Sequence, residues 1–439
     1  VQRPPQAPTP GERRPQNAAA APGLPDTVAY NLRVTETTQQ PAPKAARPEF
    51  RYLDGIRGTA ALIVVFYHAF LFTGYRGDAR EAMPIWGQII GQGSLGVPIF
   101  IVLSGYVLML PVANRSDLWF GNGVWTFIKR RSRRILPPYF AALTLSLLLI
   151  WAVPIMQVRS GTQWDSKVPV TLGNVLSHYL LIHDFSPFWI GRINGPLWSV
   201  AVEWQIYFLM PLLLLLWKRV SPVLIVTALL VLTTLPVLIR GFAYVHPWFL
   251  ALFAVGMLAA QLSVRPKEVR WTRTAMGIAF VAMAVVYILH RKHVIPIFSS
   301  MGVWESAVGI FLATVLVWAA RSTAVTGKTP WALRVFESKP MMFAGLISYS
   351  IYLIHSPLIG LANLLLLPLG FSTMTQYLVL TFAVIPVVLV ICWLFFLAVE
   401  KHFLNRRQSR AQVELSEHGH PHDSVLPPSQ TEAIAEPDK

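Results

Sequence analysis

YLDGIRGTAALIVVFYHAFLF, residues 52–72, is apolar over most of its length yet carries Asp54, Arg57 and His68. A helix needs about 20 predominantly apolar residues to cross a bilayer, so the stretch reads as a membrane span over about 53–74. Nine runs of similar length follow, at 92–112, 134–154, 196–217, 221–239, 246–263, 272–290, 302–320, 343–366 and 376–399. The expected fold is therefore an all-α integral membrane protein, a polytopic bundle of about ten transmembrane helices. Composition agrees, with 54% hydrophobic and 13% charged residues, where soluble domains carry about a quarter charged. A soluble enzyme is excluded.

The net charge of +16 would suggest nucleic acid in a soluble chain. Here it sorts by side, as cytoplasmic connections of membrane proteins are enriched in Lys and Arg. With the N-terminus inside, the inner segments, counted from Arg47 to Arg410 with the span-end residues Arg134 and Arg273 included, hold 22 basic residues and the outer ones eight. This predicts a multi-pass protein of the plasma (inner) membrane with both termini cytoplasmic and no nucleic-acid partner. Residues 1–49 hold ten of the 34 prolines and are expected to form a disordered cytoplasmic tail. Residues 401–439 are expected to form a second one, and 50–400 the membrane domain. Residues 1–49 contain no apolar core of signal-peptide length, so the first span is expected to direct its own insertion. Cys392, the single cysteine, excludes an internal disulfide and reads as a small buried hydrophobe. His418, His420 and His422 in the tail suggest only adventitious metal binding, and no metal site is expected. The long connection 155–195 contains Trp164, His178, His183, Asp184, Trp189 and Arg192, and is expected to form a partly structured cap over an outer cavity.

Ionisable side chains inside spans are costly unless they face protein or water, which makes them functional candidates. Eleven residues separate Arg57 from His68, within 20° of a whole number of turns, so Asp54, Arg57 and His68 share a face. His68 then lies about 16 Å deeper than Arg57. Arg57 reads either as a snorkelling boundary residue or as a ligand contact. In GPLWSVAVEWQIYFLMPLLLLLW, residues 195–217, Glu203 has Ser199 at i−4 and Tyr207 at i+4, and needs a partner to remain charged. In LISYSIYLIHSPL, residues 346–358, Ser348, Tyr352 and His355 form one stripe. The second span, QGSLGVPIFIVLSGYVLMLP, is rich in small and bent positions around Ser104 that allow a helix or a ligand chain to approach closely. Lys129, Arg130, Arg131, Arg133 and Arg134 lead into the third span. That run exceeds what topology needs, and guanidinium groups bind phosphate bidentately, so an anionic cytosolic ligand is indicated.

Taken together, these segments resemble the acyltransferase 3 family of integral-membrane O-acyltransferases over about residues 50–400. The resemblance rests on six segments in the family's order: YLDGIRGTAALIVVFYHAF, with ten residues between Arg57 and His68; GVPIFIVLSGYVL; RRSRRILPPYF; LGNVLSHYLLIHDFSP; INGPLWSVAVEWQIYFLMP; and SYSIYLIHSPL. Trp204 stands where many members carry a second acidic residue, which argues against paired carboxylates. No hydrolase-like C-terminal domain of the kind some members carry is seen, so a stand-alone transferase is expected. The resemblance implies transfer of an acyl group, most commonly acetyl, from cytosolic acyl-CoA as co-substrate with no bound cofactor. The acceptor would be a hydroxyl of an envelope glycan, glycolipid or metabolite. On this reading His68 is the general base and Glu203 orients a base or acceptor. Arg57, Arg131 and Arg134 hold the donor phosphates, while Asp54, Ser104, Ser199, Tyr352 and His355 line the cavity. Ser104 and Ser199 are conceivable acyl-enzyme nucleophiles, but neither pairs with a His on its own helix, so direct transfer is preferred. The donor arm is expected to run between the first three spans. A proton-coupled secondary transporter or flippase of an anionic or glycan substrate is the alternative that would also place His, Glu and Arg within helices.

Overall fold

A computed structural model describes residues 50–73, 78–238, 243–264, 269–293 and 300–404, with Ile295 and Ile297. The expected N-terminal tail and residues 405–439 of the C-terminal one, including the three tail histidines, lie outside the described residues; the first residues expected in that second tail continue a 3₁₀ turn, Glu400–Phe403. In chain order the helices are α1 (Tyr52–Phe72), α2 (Asp78–Ala82), α3 (Trp86–Ile90), α4 (Gly96–Ala113), α5 (Gly123–Ala152) and α6 (Leu172–Tyr179). They continue with α7 (Leu197–Arg219), α8 (Pro222–Leu238), α9 (Trp248–Val264), α10 (Val269–Lys292) and α11 (Met301–Thr326), and end with α12 (Lys339–Leu346), α13 (Ser348–Leu366), α14 (Thr373–Val379) and α15 (Ile385–Ala398). Among the described residues there is no strand. Eight helical stretches are long and apolar enough to cross a membrane, and two shorter apolar helices, Pro222–Leu232 and Trp248–Val264, fall where the fifth and sixth spans were expected. The protein is a multi-pass helical membrane bundle.

Three of the expected spans differ in the structure. Helix α5 begins at Gly123 and runs through Pro137 and Pro138, so the arginine run lies on the helix itself, not in a connection leading into it. Two consecutive prolines each forfeit an N–H bond one turn back, and the helix tolerates the loss. The ninth span is two helices, α12 and α13, broken at Ile347 (φ −96°, ψ 10°). In the tenth, α14 and α15 are joined by a π-helical turn, Leu380–Val384, just before Pro386. A widened turn next to a residue without an N–H is a recognised accommodation.

Small residues set the closest helix contacts. A Cβ at Gly105 of α4 would collide with the Phe253 carbonyl of α9, and one at Gly256 of α9 would meet the Val102 carbonyl and, at 2.9 Å, the Tyr106 nitrogen. Gly58 of α1 and Gly345 of α12 approach in the same way. In lipid, where apolar side chains gain nothing by leaving solvent, such backbone proximity supplies the packing energy. Gly256→Leu is expected to cost about 1–3 kcal/mol of stability through overpacking, read as a lower thermal midpoint of the detergent-purified protein. The same change at Gly277, which has open space around its Cα, is expected to leave the midpoint unchanged.

The connection between α5 and α7 does more than lie over the bundle. Tyr179 of α6 stacks on Phe140 (5.7 Å, 20°) and its hydroxyl meets Thr144 at 2.8 Å, while Tyr139 donates to the His178 carbonyl at 2.9 Å. Those α5 residues lie eight to thirteen positions before its end, so α6 descends about 12–20 Å alongside it. Gln205, two turns into α7, holds the other side by donating to the Leu181 carbonyl (3.0 Å) and to Asp184 (2.9 Å). His178 and His183 stack at 3.8 Å within the hairpin; burial lowers them to about 4 and about 2 and raises Asp184 to about 6. Leu172 and Leu180 point outward, 73% and 65% exposed, as Trp151 of α5 does. The expected cap is thus a hairpin tucked into the side of the bundle.

Candidate active site

Five helices bring their polar stripes to one cavity of about 90 Å³. Helix α1 contributes Arg57, α4 contributes Phe100 and Ser104, and α5 contributes Arg131 and Arg134, one turn apart. From α7 come Ser199, Glu203 and Tyr207 at four-residue intervals, and from α13 come Ser348, Tyr349 and Tyr352. The intervals of three and four residues put each set on a single helix face. Ser104 donates to Glu203 Oε1 at 2.7 Å, Tyr207 donates to the same oxygen, and the two hydroxyls lie 2.9 Å apart. Across the cavity, Ser199 and Tyr352 share a 2.5 Å hydrogen bond, with Phe100 edge-on to the Tyr352 ring. Tyr349 donates to the Ile135 carbonyl at 3.0 Å, tying α13 to α5.

Three guanidinium groups and a single carboxylate therefore line the same cavity. Arg57 and Arg131 both feel repulsion from Arg134 and attraction from Glu203. Asp54, one turn before Arg57 and 3.7 Å from it, is 56% exposed at its side chain and does not line the cavity. Trp204 packs edge-on against Phe208, so no second acid accompanies Glu203. An anion entering the cavity meets an excess of positive charge.

The histidines stand apart from this cavity and together. His355 is fully buried; its Nδ1 lies 2.8 Å from the Ile351 carbonyl and its Nε2 lies 3.2 Å from His68 Nδ1. His68 Nδ1 is also 2.9 Å from the Val64 carbonyl. A nitrogen facing a carbonyl oxygen must carry the proton. With both rings neutral, each is assigned the Nδ1–H tautomer from these partners. His355 Nε2 then accepts from His68, and His68 Nε2 keeps a free lone pair. Tyr352, three residues before His355 with ring centroids 6.1 Å apart, links the pair to the cavity.

Of the expected site residues, Arg57, Arg131, Arg134, Ser104, Ser199, Glu203 and Tyr352 meet at one cavity, whereas Asp54, His68 and His355 do not line it. Tyr207 and Tyr349 were not expected there, although the four-residue spacing from Glu203 to Tyr207 signals the former. Two further buried carboxylates had not been singled out. Glu305 accepts from Trp248 Nε1 at 2.6 Å, and Glu400 accepts from the Ser350 backbone and hydroxyl at 3.0 and 2.5 Å. Both hold helices together, and neither lines the cavity. Among the described residues, no group of three or more His, Cys, Asp or Glu is placed to hold a metal ion.

The acyltransferase 3 family profile, described as an acyltransferase domain, matches residues 50–397. The chain belongs to the acyltransferase 3 family. The match covers the whole described bundle through α15. Relatives include the acyltransferase MdmB of Streptomyces mycarofaciens, 27% identical over 36% of this chain and 38% of its own length. A putative acetyltransferase of Acidianus two-tailed virus is 24% identical over 78% of this chain and 92% of its own length. The peptidoglycan O-acetyltransferase OatA of Listeria monocytogenes is 23% identical over 71% of this chain and 49% of its own length. The chain thus spans less than half of the Streptomyces and Listeria proteins. No solved structure matches it significantly. Residues 50–397 thus form a domain of the acyltransferase 3 family within a helical membrane bundle.

Proposed function

We propose that the protein moves an acyl group, most simply acetyl, from cytosolic acyl-CoA to a hydroxyl of an envelope glycan, glycolipid or secondary metabolite. The observation that carries this reading is the cavity that Arg57, Arg131 and Arg134 line with one carboxylate, an arrangement suited to phosphate. Acetyl is favoured because relatives are named acetyltransferases, and an envelope acceptor because one is named for peptidoglycan. The arginine end of the bundle is assigned to the cytosol by the excess of basic residues there.

In this reading the donor phosphates rest on the arginines, and the thioester reaches along α13, past Tyr352, toward the histidine pair. The acceptor hydroxyl gives its proton to His68 Nε2 as its oxygen attacks the thioester carbonyl. The new C–O bond forms, the C–S bond breaks, and the departing CoA thiolate takes the proton back from the imidazolium. His355 Nε2 accepts from His68 Nδ1–H throughout, and that bond strengthens while the imidazolium exists.

The test uses membrane vesicles of both orientations with acetyl-CoA labelled in its acetyl group. Inside-out vesicles are expected to transfer label to an envelope acceptor, and right-side-out vesicles are not. Arg131→Gln is expected to raise the donor KM about tenfold, the worth of one charge-assisted hydrogen bond. Solute movement without consumption of acetyl-CoA would instead establish a transporter.

A further inference from the structure

Lys167 follows the short 3₁₀ turn Gln163–Ser166 in the connection between α5 and α7. Its side chain is 8% exposed, and among the described residues its ammonium makes no hydrogen bond or ion pair. It lies against Gly195, where any Cβ would come within 2.5 Å of Nζ. Arg192, a like charge, joins burial in lowering the amine to about 8. No carboxylate answers it.

The surroundings are firmly built. Lys167 N donates to the Trp164 carbonyl (2.8 Å), Ile193 N donates to the Lys167 carbonyl (3.1 Å), and Arg192 Nη1 donates to the Val168 carbonyl (2.6 Å). Trp164 donates to the Met156 carbonyl at 2.9 Å, fills the space above Gly360 of α13 and packs on Phe72 at 6.0 Å. Phe72 in turn lies 6.1 Å from the His68 ring. The turn that carries the lysine is thereby packed against α1 and α13, the two helices of the histidine pair, and the lysine's charge bears on His68. A buried cation without a counter-ion is expensive, and an apolar side chain of similar length would cost less there.

We propose that Lys167 forms an anion site on the acceptor side of His68, holding a carboxylate or phosphate of an acidic acceptor whose hydroxyl is presented to Nε2. This rests on the reading of His68 as the base. It makes the protein selective for acceptors that carry a negative group close to the reacting hydroxyl, and Lys167 a specificity-determining residue.

Two measurements on the full-length purified protein test the site. In the first, trace modification by acetic anhydride is followed by mass spectrometry at Lys167 and at exposed Lys328, with inorganic phosphate or acetate as probe. Either anion is expected to slow modification of Lys167 several-fold and leave Lys328 unchanged. Equal rates with and without anion would overturn the site whether or not the protein transfers acyl groups. In the second, glucuronic acid and its methyl ester, a neutral sugar, serve as acceptors with the same hydroxyls that differ in one negative charge. Lys167→Met is expected to raise the KM for the acid about ten- to a hundredfold, leaving kcat and the neutral sugar unaffected, and Lys167→Arg to restore most of the loss. An equal loss with both sugars would show a structural role and overturn the proposal.

Discussion

His68→Ala is expected to lower acyl transfer by about 10²–10⁴-fold, the usual contribution of a positioned general base, while leaving CoA binding unchanged. The separation follows from geometry. His68 lies eleven residues along α1 from Arg57, about 16 Å by helical rise, and does not line the arginine cavity. Removing it takes away the proton acceptor without touching the phosphate contacts. Single-turnover transfer and CoA binding by calorimetry measure the two halves on the same preparation. His355→Ala is expected to cost less, about tenfold, since His68 Nδ1–H keeps the Val64 carbonyl as its acceptor. Transfer by His68→Ala within tenfold of the original protein would remove His68 from the mechanism, and a parallel loss of CoA affinity would place the donor elsewhere.

The same two helices show what a single sequence discloses and what it withholds. Local periodicity was sufficient to put Ser199, Glu203 and Tyr207 on one face of α7, and Arg57 and His68 on one face of α1, because side-chain direction in a helix depends only on spacing. Which faces meet is a tertiary matter. That Ser104 of α4 donates to Glu203, or that His355 of α13 receives His68, depends on helix neighbours that no one-dimensional pattern specifies. The tucked position of α6 was illegible for the same reason: stacking of Tyr179 on Phe140 joins residues 39 apart, and a connection rich in Trp and His looks alike whether it lies over a bundle or descends into it. Glu305 and Glu400 were legible as carboxylates near or within spans. Their partners, Trp248 and Ser350, were not. Lys167 has no apolar span around it to make its charge conspicuous, and only its burial does so.

Glu203→Leu is expected to destabilise the protein by about 1–3 kcal/mol, the cost of leaving the Ser104 and Tyr207 hydroxyls without their shared acceptor. The carboxylate accepts from Ser104 and Tyr207 and attracts Arg57 and Arg131, so its loss leaves the cavity's three guanidinium groups with Asp54, beside Arg57, as a nearby counter-charge. Glu203→Gln separates the two contributions. The amide oxygen still accepts from Tyr207 and Ser104, while the charge is gone; the stability loss should shrink to below about 1 kcal/mol, since both hydroxyls keep their acceptor. A bound phosphate should then replace what Glu203 supplied. In the original protein the donor competes with a resident carboxylate for the same arginines, and in Glu203→Gln it does not. The variant should therefore unfold at a lower temperature alone, show a larger upward shift on adding CoA, and bind CoA more tightly while transferring more slowly. Scanning fluorimetry with and without CoA, beside calorimetric binding, reads all of these. Weaker CoA binding by Glu203→Gln would mean that the carboxylate orders the arginines for the donor and does not compete with it.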